Sequence, residues 1–275
     1  MTSSILEKSR IGFIGCGAMA RALAGGLIDS GVSASQLIGS DPFPAARQQF
    51  EETLGAKAIE ANIEVVSTAE IVILAVKPGA VADVLTELDP AMAKRPLWIS
   101  IAAGVSLQKL QEALPEGTRI VRTMPNTPAL VGAGATAYFP GARVDESDIP
   151  VIEAVLEATG WCWRSPNEDM LDAVTGLSGS GPAYIFLILE ALAEAGVRQG
   201  LPSETALDLA TRTVLGAAKM ALETGIPPGV LRDQVTSPGG TTVAGLEQLE
   251  AHDVRAAFYA AVEAATARSK ELREG

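Results

Sequence analysis

Short, uninterrupted apolar runs alternate with helix-forming segments through the first half of the chain. The runs 11–14 and 71–76 contain only apolar residues and glycine, without the polar–apolar alternation of a half-exposed strand. Such runs are typical of parallel strands that helices cover on both faces. This order predicts an α/β fold built on a parallel sheet. The predicted strands are 11–14, 36–40, 57–59, 70–76, 97–101, 119–123, 135–139 and 161–164, with helices at 45–54 and 149–158.

Strand patterns disappear from about Asn167, and the second half of the chain is helical. The segment 183–197 is apolar on every face, which indicates a buried helix. In so small a helical domain we expect a second copy of the chain to cover it. The sequence therefore predicts an obligate homodimer, with a larger homo-oligomer left open. The other predicted helices are 203–224, 230–235, 243–250 and 254–272.

A glycine-containing turn joins the first predicted strand to an Ala-rich helix. Gly15 permits the tight turn, Gly17 lets the backbone approach a pyrophosphate, and Ala20 keeps helix and strand close. The free N–H groups of the following helix suit an anion. A turn that binds nothing is the alternative, but the strand–turn–helix context favours a dinucleotide site. We predict a Rossmann-type dinucleotide-binding domain over 1–166, followed by an all-α dimerisation and substrate-binding domain over 167–275.

The carboxyl ends of the parallel strands are expected to form the cofactor site, because ligands bind at that edge of open parallel sheets. The segments there combine small residues with a polar group, which suits a groove for a long, flat cofactor. The predicted cofactor-binding residues are Ile14, Gly15, Cys16, Gly17, Ala18, Met19, Ser40, Asp41, Pro42, Asn62, Ala75, Val76, Lys77, Pro78, Ala102, Ala103 and Asn126.

The identity of the cofactor depends on the end of the second strand. Asp41 lies where a carboxylate usually binds the ribose diol of NAD and repels a 2′-phosphate. In favour of NADP, Ala20 replaces the third glycine of the motif, and Ser40 and Arg47 could bind a phosphate. The sequence leaves NADH and NADPH both open.

Net charge, apolar run length and cysteine content argue against several classes of partner and site. The net charge of −12 argues against a nucleic-acid partner. The N-terminal residues lack the features of a signal peptide, and no apolar run is expected to reach the length of a transmembrane helix, so no membrane partner is expected. Cys16 and Cys162 are the two cysteines. They argue against a disulfide framework or a metal site and fit a reducing cytoplasm.

Two glycine-containing segments interrupt the helical half. The first, Gly176-x-x-Gly179-x-Gly181, resembles a motif of the β-hydroxyacid dehydrogenases. The lysine and asparagine that follow it in that family are Ile185 and Leu189 here. Without that lysine there is no acid or base for an alcohol substrate, so close helix approach is the better explanation of these glycines.

The second segment carries a more specific resemblance. Residues 231–250, with the sequence Ser-Pro-Gly-Gly-Thr-Thr at 237–242, look like the signature of the Δ1-pyrroline-5-carboxylate reductases. The segments 75–78, 102–104, 124–128 and 178–184 resemble that family too, in the same order. The resemblance implies reduction of 1-pyrroline-5-carboxylate to L-proline by NAD(P)H, the last step of proline biosynthesis. A reductase of another small imine or keto acid, and a catalytically silent nucleotide sensor, are the alternatives.

The chemistry of this segment agrees with that resemblance. Successive N–H groups of Gly239, Gly240 and Thr241 at the start of a helix could form a nest for the substrate carboxylate. Thr242 is the predicted catalytic residue and the fourth substrate-binding residue, because its hydroxyl could hydrogen-bond the ring nitrogen beside the carbon that receives hydride. The alternative is a helix cap made by Ser237 or Thr241.

No strong acid or base is expected. A protonated cyclic imine is already electrophilic, so positioning and desolvation are the main requirements. His252, the one histidine, is expected at the surface between two helices. We expect Lys77 to contact an anion or ribose of the cofactor rather than to act as an acid.

Overall fold

The strands of the computed structural model, which describes residues 5–274, form one sheet. Its order is β3-β2-β1-β4-β5-β6-β7-β8. The predicted strand positions are confirmed to within one or two residues. The strands are β1 (Ile11–Ile14), β2 (Leu37–Ser40), β3 (Lys57–Ile59), β4 (Ile71–Leu74), β5 (Leu97–Ser100), β6 (Arg119–Met124), β7 (Gly134–Pro140) and β8 (Gly160–Arg164).

Helices connect the strands and make up most of the second half. Short 3-10 turns lie at Ala34–Gln36, Pro78–Ala80 and Thr127–Val131, and a π-turn lies at Thr175–Gly179. The α-helices are α1 (Ala18–Asp29), α2 (Pro44–Leu54), α3 (Asn62–Thr68), α4 (Val81–Thr86), α5 (Pro90–Ala93), α6 (Leu107–Ala113), α7 (Ile149–Glu157), α8 (Met170–Val174), α9 (Gly181–Arg198), α10 (Ser203–Thr224), α11 (Pro228–Gln234), α12 (Thr241–Ala251) and α13 (Val254–Glu274).

The sheet is parallel from β3 to β6 and changes direction at β7. β7 pairs antiparallel with β6, and β8 pairs parallel with β7. The sequence did not indicate this reversal. Its cause is the short connection through Thr127–Val131, because a parallel neighbour needs a crossover of a dozen or more residues.

Each apolar strand has buried side chains on both faces of the sheet. Phe13 and Ile73 belong to one buried cluster, whereas Val72, Leu74 and Trp98 belong to the other. Successive side chains of a strand point to opposite faces, so burial of both faces removes the polar–apolar alternation. This explains why the runs in β1 and β4 are uninterrupted.

Packing divides the described chain into two compact units. One contains the sheet and runs as far as Gly179, and it also includes the chain from Ala265 onward. The other is the helical unit Ser180–Ala264. The predicted boundary lies between 166 and 167, which assigns α8 and the end of α13 to the helical part. In the packing of the chain both belong to the sheet unit.

A buried ion-pair network explains this assignment. Arg122 of β6 is 3% exposed, and its guanidinium donates to Glu168 at 2.7 Å. Asp172 of α8, which is 0% exposed, accepts a hydrogen bond from the Ser269 hydroxyl at 2.7 Å. The same carboxylate lies 3.8 Å from Arg122 and 3.3 Å from Arg273. The end of α13 is therefore tied to the sheet through Asp172.

The sequence predicted no membrane-spanning segment, but the helical run Met170–Arg198 is long and apolar enough to cross a membrane, by length and composition only. In the single chain, 6% of its most apolar window is buried. The π-turn explains why the sequence did not indicate this, because it joins α8 to α9 across residues that resemble a helix break.

We expect Arg122→Met to lower the free energy of unfolding by roughly 3–5 kcal/mol, because it leaves the Asp172 carboxylate buried with its charge partly uncompensated. The measurement is urea unfolding at fixed protein concentration. Arg268→Met is the control, since its pair with Glu271 is exposed and should contribute less than about 1 kcal/mol. Equal effects of the two substitutions would contradict a stabilising role of the network.

Candidate functional site

The turn between β1 and α1 is enclosed by main chain from two neighbouring strands. Gly15 has φ +96°, and its N–H donates to the Ser40 carbonyl at 2.7 Å. A Cβ at this position would lie 2.7 Å from the Ala75 carbonyl oxygen. Glycine is therefore required for both its backbone conformation and the close approach. The turn is thereby fixed between the ends of β2 and β4.

Gly17 and the start of α1 are open. Gly17 is the exposed N-cap of α1, no side chain caps it, and a Cβ there would have no heavy atom within 4 Å. The first N–H groups of a helix have no partner within the helix, so they are available for an anion. This open, cap-free helix start fits the pyrophosphate of a dinucleotide.

Asp41 is engaged with the backbone of the turn. Its Oδ2 accepts the Cys16 N–H at 2.9 Å, and its Oδ1 accepts the Phe43 N–H at 2.9 Å. Arg47 donates to the carbonyl oxygens of Asp41 at 2.7 Å and Pro42 at 3.0 Å. Asp41 and Arg47, two of the side chains that bear on the choice of cofactor, thus stabilise the main chain at the end of β2.

Ser40 and Asn62 form a pair beside this segment. The Ser40 side chain is buried, and its hydroxyl donates to Asn62 Oδ1 at 2.8 Å. Asn62 is the first residue of α3 and is half-buried. Since the Ser40 hydroxyl is enclosed and bonded to Asn62, it is not exposed for direct contact with a ligand.

The remaining predicted cofactor residues follow β4, β5 and β6, whose carboxyl ends share one edge. Lys77, Pro78 and Ala103 are exposed there, whereas Ala102 is buried. Exposed residues at this edge can contact a ligand through side chain or backbone. Ala102 presents no side chain to solvent.

Asn126 has both ends of its amide occupied within the sheet unit. Its Oδ1 accepts the Ala135 N–H at 2.9 Å, and its Nδ2 donates to the Ser178 hydroxyl at 3.2 Å. Ser178 belongs to the π-turn, a feature often found at functional sites. The sequence prediction missed Ser178, although Gly176 and Gly179 on either side marked the segment as irregular.

The Cys16 thiol lies in the turn between β1 and α1, where its environment disfavours the thiolate. Its side chain is buried, and burial, followed by the charge of Asp41, raises its pKa to about 12. The thiol stays protonated at neutral pH, so it is a poor nucleophile. Among residues 5–274, no group of three His, Cys, Asp or Glu side chains is placed to hold a metal ion.

The Gly-Gly-Thr-Thr segment forms the start of α12. Gly239 has φ +69°, and Gly240 is the N-cap with no side-chain cap, so neither Ser237 nor Thr241 caps the helix. The Gly240 N–H donates to the Ser237 carbonyl at 3.0 Å, which removes one of the three N–H groups expected in the nest. The half-buried Thr242 hydroxyl has no hydrogen-bond partner among residues 5–274.

His252 is exposed at the end of α12, which agrees with the expectation of a surface residue. It takes part in no ion pair within the described part of the chain.

Comparison with known proteins covers both halves of the chain. Residues 168–272 match the family described as pyrroline-5-carboxylate reductase dimerisation, and residues 10–104 match NADP oxidoreductase coenzyme F420-dependent. The chain is 46% identical over 268 residues to a pyrroline-5-carboxylate reductase of Methanosarcina acetivorans, with 97% of this chain and 99% of that protein covered. It is 42% identical over 269 residues to the Pseudomonas aeruginosa enzyme of that name, with 98% of each covered.

Solved structures agree with these sequence relatives. The structure of a pyrroline-5-carboxylate reductase from Coxiella burnetii matches with a TM-score of 0.91 and 41% identity, over 96% of this chain and 98% of that one. A Plasmodium falciparum pyrroline carboxylate reductase with NADP bound matches with a TM-score of 0.86 and 31% identity, over 97% and 99%.

Gly17→Val tests the turn without disturbing the fold. Because the position of the new side chain is open, the melting temperature should barely change. The dissociation constant for a dinucleotide should rise at least about tenfold, since the backbone can no longer approach the pyrophosphate. Calorimetric titration measures this, with Gly25→Ala, on the same helix and in ordinary contact with Leu54, as the control. Wild-type affinity of Gly17→Val would place the dinucleotide elsewhere.

Proposed function

The chain belongs to the pyrroline-5-carboxylate reductase family, and we propose which of its residues carry out the reaction of that family. The enzyme reduces 1-pyrroline-5-carboxylate to L-proline with NAD(P)H, the final step of proline biosynthesis. The observation that supports this function most strongly is that the similarity to named reductases extends over nearly the full length of both chains.

The cofactor half of the site is assigned to the edge of the sheet. The N–H groups of Gly17, Ala18 and Met19 at the start of α1 hold the pyrophosphate. The segment 40–42, with Asn62, lies along the adenosine ribose. The residues 75–78, 102–103 and Asn126 line the remaining part of NADH or NADPH. When bound, the reduced nicotinamide supplies the hydride.

The substrate half is assigned to the start of α12. The N–H groups of Gly239 and Thr241 bind the substrate carboxylate, and Gly240 keeps the approach free of a side chain. The Thr242 hydroxyl accepts a hydrogen bond from the protonated ring nitrogen and so orients the carbon that is reduced. This assignment is supported by the absence of an intrachain partner for that hydroxyl among the described residues.

Residues 167–275 are proposed to hold the chain in a homodimer. α9 has no buried residue in a single chain, and Phe186 and Leu187 are 63% and 65% exposed. Exposure of this apolar surface is costly in water. A second copy is the proposed cover, because the dimerisation family match includes this helix. A dimer mass in light scattering without detergent is expected, and a monomer would contradict this.

The proposed roles assign a function to each domain, and the free cysteines suit a cytoplasmic location. We assign cofactor binding to residues 1–166 and dimerisation with substrate binding to 167–275. The cysteines Cys16 and Cys162 are both free, which suits a reducing cytoplasm.

A turnover assay tests the function directly. Purified protein should oxidise NADPH or NADH when 1-pyrroline-5-carboxylate is added, and proline should accumulate in equal amount. The two cofactors are compared side by side, together with other cyclic imines and keto acids. Faster turnover of another substrate, or cofactor binding without any oxidation, would overturn the assignment.

Thr242→Val separates chemistry from folding. It keeps the side-chain shape and removes the hydrogen bond to a charged group, so kcat/KM should fall about ten- to hundredfold. Cofactor affinity and melting temperature should barely move. Thr213→Val, on exposed α10, is the control. A lower melting temperature with unchanged kcat/KM would instead make Thr242 a structural residue.

A further inference from the structure

We propose that Arg21 is a positioning residue for the cofactor, acting with Asp41 through the two peptide groups on either side of the Cys16 Cα. The proposal rests on the proposed function in one respect, that NAD(P)H binds at this turn. Arg21 itself need not touch the cofactor. Its role is to set the direction of the N–H group that begins the anion site.

The geometry of the turn carries the proposal. The Arg21 guanidinium donates to the Cys16 carbonyl at 2.8 Å, and Asp41 Oδ2 accepts the Cys16 N–H at 2.9 Å. The carbonyl belongs to the peptide that leads to Gly17, and the N–H belongs to the peptide that comes from Gly15. The two hydrogen bonds therefore fix both backbone dihedral angles of Cys16.

The direction of the Gly17 N–H follows from the planarity of the peptide. In a trans peptide the carbonyl and the next N–H point in opposite directions, and the described chain contains no cis peptide. With the Cys16 carbonyl held by Arg21, the Gly17 N–H points away from that guanidinium. A rotation of this peptide would turn a carbonyl oxygen, with its negative partial charge, toward a bound phosphate.

The turn needs such an external constraint because of its composition. Gly15 and Gly17 flank Cys16, and glycine has more backbone freedom than any other residue. Gly15 is already fixed by its bond to Ser40 and its contact with Ala75. The Cys16–Gly17 peptide has no comparable neighbour at Gly17, where no heavy atom lies within 4 Å of a Cβ position. Arg21 supplies the missing constraint.

The positive charge of Arg21 does not stabilise α1. It is the fourth residue of α1, and a cation near the N-terminus of a helix opposes the helix dipole. Among residues 5–274, no carboxylate lies within ion-pair distance of its guanidinium. Arg21 is half-buried and donates to a carbonyl of the preceding turn. Its position is therefore explained by a role in the conformation of the turn rather than by a role in helix stability.

Cofactor binding by calorimetry tests the proposal independently of turnover. Arg21→Met keeps the aliphatic stem and removes the hydrogen bond, and we expect dissociation constants for NADPH and NADH to rise by the same factor, about tenfold. The melting temperature, the KM for 1-pyrroline-5-carboxylate and kcat at saturating cofactor should stay unchanged. Arg143→Met, at an exposed arginine, is the control.

Three outcomes would overturn this role. Wild-type affinity of Arg21→Met is the first, and a loss confined to NADPH, which indicates a direct contact with the 2′-phosphate, is the second. The third is a loss that vanishes at about 1 M salt, where the Debye length is about 3 Å and a through-space charge effect is screened.

The double variant Arg21→Met/Asp41→Ala tests the shared mechanism. If both residues act on the conformation of Cys16, their effects should not add. The double variant should then bind the cofactor no more weakly than whichever single variant has the higher dissociation constant. If the double variant instead raises the dissociation constant by the product of the two single factors, the residues act separately, and the proposal would be overturned. Failure of the proposed function is distinguishable, because it would appear as no turnover in the wild type while these binding differences persist.

Discussion

The close approach of three main-chain segments at Gly15 is the constraint on which the geometry of the sheet's carboxyl edge depends. The turn after β1 bonds the end of β2 through Ser40 and touches the end of β4 at Ala75. No side chain can be inserted there, so the start of α1 is placed by backbone geometry. The surrounding side chains then adjust a position that the backbone has already set.

Hydrogen-bonding capacity divides the candidate site residues into two groups. Ser40, Asp41 and Asn126 have protein partners, so their polar groups hold neighbouring elements of the chain in place. The Thr242 hydroxyl has no such partner among the described residues, and Lys77 is exposed. Polar groups that have unused hydrogen-bonding capacity and access to solvent are the ones that a bound ligand can contact directly.

The sequence predicted the strands and the glycine turn after β1 well, because both depend on local pattern. β1 and β4 are apolar throughout since both of their faces are buried, and Gly15 is required by its own conformation. The reversal at β7 and the π-turn depend on neighbours in space. Arg122 illustrates the limit, because a strand arginine suggests solvent, whereas its partners Glu168 and Asp172 lie 46 and 50 residues further along the chain.

The bond between Asp172 and Ser269 has a consequence for the order of folding in the cell. Domains near the N-terminus generally fold first as a chain is synthesised. Here the sheet unit includes residues 265–274, so it cannot be completed until they have left the ribosome. Until then the Asp172 carboxylate has Arg122 nearby but lacks the hydrogen bond from Ser269 and the ion pair with Arg273. The helical unit Ser180–Ala264 has therefore emerged in full before the sheet unit can be completed.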